Sequence, residues 1–385
     1  MSNADPNRPA IALDYTAGPG HAPGVGRYVR ELVRALVRLP ARNAFPLELL
    51  EVGRAPRPME GAPLGLEDVP AGGPEFARRS TRLPRRLIAQ GQRAPGFARA
   101  LIGPSRRAGL LHRVVPSWPP VGSIPHSIAV AEFPPTGSPA AEVLAAECRA
   151  ALGVIVFSSD AATRVARDFR VDPSHVFQSP VGSEHWERDL LGASGSLPVD
   201  PRPTQDILVL GAIRRARYPL AALSAFELLQ ARGARARLLF VGRPGDQAGA
   251  FREALQALQK RLGAESIRWI DSPEERRMPD CVAGATMLLH LAEDEASPVT
   301  PLEASRMGLP VVASRLPAFE EAFGDRAHYV DPADTAGIAD ALELGLVEGL
   351  NSSLRLERKA WAKAFTWEAV AQAHVDAWKR MLGTP

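Results

Sequence analysis

The sequence predicts an α/β chain of two Rossmann-like domains, and three observations carry that expectation. Its 385 residues exceed an ordinary single domain and suffice for two full cores. Short apolar runs of strand length alternate with amphipathic helical stretches in both halves. Between the halves lies 192–204, GASGSLPVDPRPT, whose small, polar, proline-rich composition marks a linker. The first domain is therefore expected over 1–195 and the second from 205.

Taken in order, Ile11 to Tyr15 reads as a strand, followed by the glycine- and proline-rich loop TAGPGHAPGVG. A helix follows from Arg27 to about Leu39. Val29, Leu32, Val33, Leu36 and Leu39 form its apolar stripe, and Arg30, Arg34 and Arg38 mark an outer face. Gly24 and Gly26, on either side of Val25, either let backbone approach a ligand at the helix start or make a tight turn. Pro46 to Val52 and Ser127 to Val130 read as strands, the latter leading to Ala131 and Glu132. A helix over Ala140 to Leu152, a strand over Gly153 to Phe157, a helix from Ser158 or Ser159 to near Arg170 and a strand over Val176 to Pro180 continue the alternation. In the second half, Asp206 to Leu210 is a strand, then come GAIRRARYPL, which opens on Gly211, and a helix over Ala221 to Ala231. Arg237 to Val241 is the next strand, ending in Gly242-Arg243-Pro244-Gly245, and Ile267 to Ile270 another. Arg215 and Arg217 either present planar forks to a phosphate or sit in a solvent-facing turn.

Charge is unevenly placed within a formal net value of +3. From Arg78 to Arg113 arginines recur, and no acidic residue stands between Phe76 and Ala131. The segment is either a solvated face or a set of basic amphipathic helices that touch an anionic membrane surface or an anionic acceptor. Nucleic acid is not an expected partner, because no aromatic platform accompanies the arginines. Cys148 and Cys281 stand apart and outside any metal-ligand spacing, so neither a metal site nor a disulfide framework is expected. Lacking a secretory signal or a membrane-length apolar run, the chain is expected in the cytoplasm, at the inner membrane face if the arginine helices are amphipathic.

The densest chemistry lies between Thr286 and Ser314, TMLLHLAEDEASPVTPLEASRMGLPVVAS. A buried strand over Thr286 to Leu291 leads through a loop to a helix with Thr300 as N-cap, Pro301 at its first position and Gly308 as its stop. A loop at the carboxyl end of a parallel strand facing a helix start favours an anion, with phosphate the obvious candidate. Glu295 and Glu303 would flank that anion and accept hydrogen bonds from sugar hydroxyls. Thr300 and Glu303 are equally spaced for a capping box, in which Glu303 only folds back on its own helix start.

These residues carry a family resemblance. EASPVTPLEASRMGLPVVAS resembles the signature of retaining GT-B glycosyltransferases of the glycosyltransferase 4 type. Glu295, Glu303, Ala304, Gly308, Pro310, Val311, Val312, Ala313 and Ser314 match it, while Ala296, Ser297, Pro298 and Val299 replace the usual Gly-Phe-Gly-Leu. The run Gly24-Val25-Gly26-Arg27-Tyr28 with Glu31-Leu32, the segment GAIRRARYPLAALSAF and the closing Phe365-Thr366-Trp367-Glu368 are similar to further family segments.

The resemblance implies a GT-B fold, two Rossmann-like domains facing a central cleft. The nucleotide-sugar domain would span 205–365, and 366–385 would be a helix crossing back to the first domain. It implies a nucleotide-sugar donor as substrate, no cofactor, no obligatory metal, and a glycan, lipid-linked or small-molecule acceptor. Glu295 would be the catalytic residue beside the donor sugar. The donor would be held by Gly211, Arg215, Arg217, Gly242, Arg243, Ser297, Val299, Thr300 and Glu303, the last on its ribose. Gly24, Val25, Gly26, Ala131 and Glu132 would line the acceptor side, and Asp271 to Pro279 would meet the base. Ala131 stands where the family commonly has a histidine. A second expectation therefore remains open, a GT-B-fold protein that binds nucleotide or glycan as partner of another enzyme.

Overall fold

The computed structural model describes residues 9–18, 24–40, 45–53, 76–81, 108–116, 118–119, 124–192, 205–271 and 277–384. Most of the arginine run (82–107), the linker at 193–204 and positions 272–276 of the expected base contact lie outside the described residues. The chain divides into two compact units, Met1–Gly182 with Thr366–Pro385, and Ser183–Phe365.

The first unit holds a parallel sheet of β1 (Ala10–Asp14), β2 (Leu47–Val52), β3 (Phe76–Thr81), β4 (Ala108–Arg113), β5 (His126–Val130), β6 (Gly153–Val156) and β7 (Val176–Gln178). Its order is β3-β2-β1-β4-β5-β6-β7. Central β1 is buried along its whole length, as a strand covered on both faces must be. Helix α1 (Val25–Leu36) starts two residues earlier and stops three earlier than its apolar stripe suggests. Arg30 is not on an outer face: it is buried, and its Nη1 donates to the Gly18 carbonyl at 3.4 Å. Helices α2 (Pro139–Ala150) and α3 (Ser159–Asp168) start under the side chains of Ser138 and Ser158, each of which accepts from an amide three residues on.

Two positions at the edge of the arginine run are neutralised by the adjacent strand. Arg78 donates to Glu51, and Arg79 Nε lies 3.4 Å from Glu48 Oε2. The acids that sequence distance hides arrive from β2. His126 begins β5 and is a core histidine, 3.6 Å from Glu147, which also pairs with buried Arg113.

The second unit begins at helix α4 (His185–Gly192), upstream of the linker expected to divide the chain. Its parallel sheet comprises β8 (Gln205–Leu210), β9 (Ala236–Val241), β10 (Ile267–Ile270), β11 (Met287–His290), β12 (Val311–Ser314) and β13 (His328–Val330). The order is β10-β9-β8-β11-β12-β13. Around it lie α5 (Pro219–Ala231), α6 (Ala248–Leu262), α7 (Met278–Ala283), α8 (Val299–Arg306), α9 (Pro317–Phe323), α10 (Thr335–Leu350) and α11 (Ser352–Ala362). Phe226, Phe240 and Phe251 fill the core beside β8 and β9. In both sheets the strand order reverses beside the first strand, at β1/β4 and at β8/β11. Such a reversal opens a crevice at the carboxyl ends of the strands.

The closing helix α12 (Trp367–Leu382) packs in the first unit, burying Trp367, Val370, Val375 and Trp378 among Val29, Leu32 and Val33 of α1. Each such side chain contributes roughly 1.5–3 kcal/mol. A polar chain runs through this seam. His374 Nδ1 lies 2.7 Å from the Val370 carbonyl, so Nδ1 must donate. Burial lowers the pKa of His374 to about 4. The ring is therefore neutral at physiological pH, and its Nε2 accepts from the Tyr28 hydroxyl at 2.6 Å. Tyr28 in turn accepts from His112 Nε2 at 3.3 Å, and His112 Nδ1 accepts from Ser127 Oγ at 2.9 Å. Each donor in this chain meets one acceptor.

Candidate active site

The β8/β11 crevice is built by loops whose backbones fit closely. Gly211 ends β8 with φ +127°, and a Cβ on Gly242, at the end of β9, would lie 1.9 Å from the Gly211 carbonyl oxygen. Only glycine at 242 permits that approach. The Arg243 carbonyl accepts from the Ile213 amide at 3.0 Å, while its side chain is exposed. Arg215 to Arg217 then form a single 3₁₀ turn before α5. The Arg215 amide is tied to Asp246 at 2.9 Å, which leaves its side chain exposed. The Glu293 amide donates to the Ala216 carbonyl at 2.9 Å and joins this turn to the loop after β11.

Three side chains meet where those loops join. Arg217 Nη1 is 2.9 Å from Glu295 Oε2 and 2.7 Å from His290 Nε2. His290 Nε2 and Glu295 Oε2 are 3.4 Å apart. Burial lowers the pKa of His290, and the Arg217 charge lowers it further. For Glu295 burial acts the other way, but the charge and hydrogen bond of Arg217, together with the adjacent His290, outweigh it, so its pKa is lowered. At neutral pH the group is thus a cation, a carboxylate and a neutral imidazole. A carboxylate only accepts, which suits Glu295 to hold sugar hydroxyls and not to act as an acid.

His290 has no place among the sequence expectations. The available signal was a polar residue closing the buried strand run Met287-Leu288-Leu289, five positions before Glu295.

The helix after this loop departs from expectation. Helix α8 starts at Val299 with Pro298 at the cap position, and no side chain caps it. Thr300 lies inside the first turn. The capping box is absent, because the turn closes through backbone: the Val299 amide donates to Ser297 and the Leu302 amide to Pro298. Ser297 is buried, and Val299 and Thr300 are half-buried. Glu303 is wholly buried, with Oε1 2.9 Å from Nε2 of His185 on α4.

Gly24, Val25, Gly26, Ala131 and Glu132 belong to the first unit. Gly24, with φ +66°, stands at the cap position of α1, and Ala131 and exposed Glu132 follow β5. Among the described residues, no group of three or more His, Cys, Asp or Glu could hold a metal ion, and no helix is long and apolar enough to cross a membrane.

Residues 200–361 match the family model described as glycosyl transferases group 1. The chain is 27% identical over 183 residues to a D-inositol 3-phosphate glycosyltransferase of Acidothermus cellulolyticus, a stretch covering 46% of this chain and 41% of that protein. Its fold is similar to that of a sucrose-phosphate synthase from Thermosynechococcus elongatus, with TM-score 0.70 and 19% identity over 98% of this chain and 100% of the other. Anabaena HepE, solved with UDP and glucose, aligns with TM-score 0.65 and 15% identity over 97% and 99% of the two chains. A UDP-forming trehalose-phosphate synthase from Burkholderia xenovorans, solved with glucose-6-phosphate, aligns with TM-score 0.67 and 14% identity over 97% and 100%. The chain thus resembles the group 1 glycosyltransferases over its second unit, and its fold, two Rossmann-like units, is that of GT-B glycosyltransferase structures.

Proposed function

We propose that the chain transfers a sugar from a nucleotide-sugar donor to the hydroxyl of a glycan, lipid-linked or small-molecule acceptor, with retention at the anomeric carbon. The observation that carries this reading is the Arg217–Glu295 pair at the β8/β11 reversal, inside the stretch that matches the family. Arg217, with Arg215 beside it, meets the donor diphosphate. Glu295 accepts from hydroxyls of the donor sugar and fixes it. The anomeric carbon–oxygen bond to the diphosphate breaks and one to the acceptor oxygen forms on the same face. The acceptor proton passes to the departing phosphate oxygen. No protein acid or base is needed in that step, so Ala131 removes nothing it requires.

Stabilisation of the leaving group falls to the arginine forks and to amides at the start of α8, with no metal assigned a part. Gly211, Gly242, Arg243, Ser297, Val299 and Thr300 shape the donor side, and Glu303 supports α8 from beneath through His185. Gly24, Val25, Gly26 and Glu132 are assigned to the acceptor, and the protein to the cytoplasm.

UDP-glucose is the first donor to try, since solved structures of similar fold hold UDP or form it. The test is mass-spectrometric detection of glycosylated product from UDP-, GDP- and ADP-glucose across an acceptor panel. Product that disappears in Glu295→Ala, while UDP binding persists, is expected. Nucleotide binding without product from any acceptor would overturn the reading and leave a binding protein in its place.

A further inference from the structure

An arginine and a carboxylate left to themselves favour two parallel hydrogen bonds, which use two guanidinium nitrogens and both carboxylate oxygens. Arg217 and Glu295 do not pair that way. A single nitrogen, Nη1, contacts Glu295 Oε2 at 2.9 Å and His290 Nε2 at 2.7 Å. A guanidinium nitrogen only donates, so His290 Nε2 must offer its lone pair there and the ring proton must sit on Nδ1. Both hydrogens of Nη1 are then spent inward. Among the described residues, Arg217 Nε and Nη2 have no partner, nor has Glu295 Oε1. The Arg217 side chain is 34% exposed, whereas His290 is 4% exposed and held edge-on to Phe319 at 5.5 Å.

We propose that His290 is a positioning residue that keeps the Arg217–Glu295 pair to one hydrogen bond, so that a three-hydrogen fork and a carboxylate oxygen stay available side by side. The fork, Nε with Nη2, matches two oxygens of a tetrahedral phosphate. The spare oxygen suits a hydroxyl of the sugar attached to that phosphate. Without His290, Glu295 would rotate onto the fork and close both halves of the site at once. This assignment rests on the donor-binding reading above, and the contact it depends on is measurable without any donor.

The ligand-free arm is nitrogen-15 NMR of the histidine rings at pH 7.5. His290 is expected as the Nδ1–H tautomer with an unprotonated Nε2, and Arg217→Ala should abolish that preference. A protonated Nε2 in the wild type overturns the proposal.

The binding arm uses UDP, GDP and ADP by calorimetry, taking the tightest as probe. His290→Leu, which has no acceptor, should weaken it by about tenfold or more. His290→Gln, whose amide oxygen reaches a similar place, should stay within about threefold of the wild type. In an Arg217→Ala background His290→Leu should have no further effect, since the residue acts through Arg217. Equal losses in Leu and Gln, or a loss that persists without Arg217, would mean that His290 merely packs. Should His290→Leu not fold, the Gln variant and the tautomer still decide. If no nucleotide binds the wild type, donor binding fails while the tautomer and its dependence on Arg217 still judge the contact.

Discussion

His112 and His290 occupy equivalent places in two similar units. Each lies near the carboxyl end of the strand that pairs with the first strand of its sheet at the reversal. Both are buried, and burial lowers both pKa values. Their partners differ. His112 meets Tyr28 and Ser127, within a neutral chain that ends on α12. His290 meets a cation and an anion that keep unused hydrogen-bonding capacity. The same buried imidazole thus fastens a helix in one unit and holds apart a charged pair in the other. What distinguishes a site from a seam here is capacity left over after the local partners are satisfied.

The largest expected effect tests the charged side. Glu295→Ala should lower transfer by about 10²-fold or more while leaving UDP binding nearly intact, because it removes sugar positioning and spares the diphosphate contact. Steady-state rates and calorimetry check this. A fall in UDP affinity with no specific loss of turnover would place Glu295 with the phosphate and blur the division of labour between fork and oxygen.

Acid titration sharpens the contrast from the neutral side. The folded pKa of His374, about 4, lies below its ordinary 6.5, so the unfolded chain binds a proton that the folded chain refuses. Its stabilising contribution is complete above pH 6.5 and is lost as pH falls towards 4. For His374 alone the loss is on the order of 2 kcal/mol by pH 5. His112 shifts in the same direction. Urea midpoints at pH 7.5 and pH 5 should drop for the wild type, and His374→Leu should start lower but lose less. Equal pH dependence in the two would show that the seam is not what acid breaks.

How much of this was legible in sequence depends on where partners come from. Strands such as Ile11–Leu13 and Gly153–Val156 were readable, because a strand covered on both faces is a continuous apolar run. β3 was not: it is an edge strand, FARRST, with two arginines and largely exposed. β13 has three residues and offers no period to read. Glu295 could be picked out by motif, but His290 acquires its meaning from Arg217, 73 positions away. Glu303 posed a choice between capping and ligand, and the structure supplied a third partner in His185. The seam was invisible for the same reason, since Tyr28 and His374 are 346 positions apart.

Tyr28→Phe asks whether the neutral chain is fastening and nothing more. Phenylalanine keeps the ring contacts to Phe157 and Trp367 but leaves His374 Nε2 without its donor and His112 Nε2 without its acceptor. A loss of about 1–2 kcal/mol in stability is expected from the unsatisfied groups. Transfer per folded molecule should not change. A selective loss of turnover in a stable variant would break the comparison, since Tyr28 would then belong to a site.

The smallest expected effect comes from Ser127→Ala, at the far end of that chain. Removing the hydroxyl costs little packing, since the side chain shrinks by one atom. It does leave the His112 Nδ1 lone pair without a donor in a buried place. Moving the His112 proton to Nδ1 would not help, since the lost hydroxyl was also the acceptor there, and it would deprive Tyr28 of the Nε2–H it accepts. Tyr28 cannot reverse its own bond, because His374 Nδ1 is committed to the Val370 carbonyl and Nε2 must therefore accept. The chain thus has a single direction, set at the helix end, and the tautomer of His112 should survive the substitution. The expected cost is about 0.5–1 kcal/mol, and nitrogen-15 NMR should still show His112 as the Nε2–H form. An Nδ1–H ring in Ser127→Ala would mean that the direction is set by Ser127 instead of at the helix end.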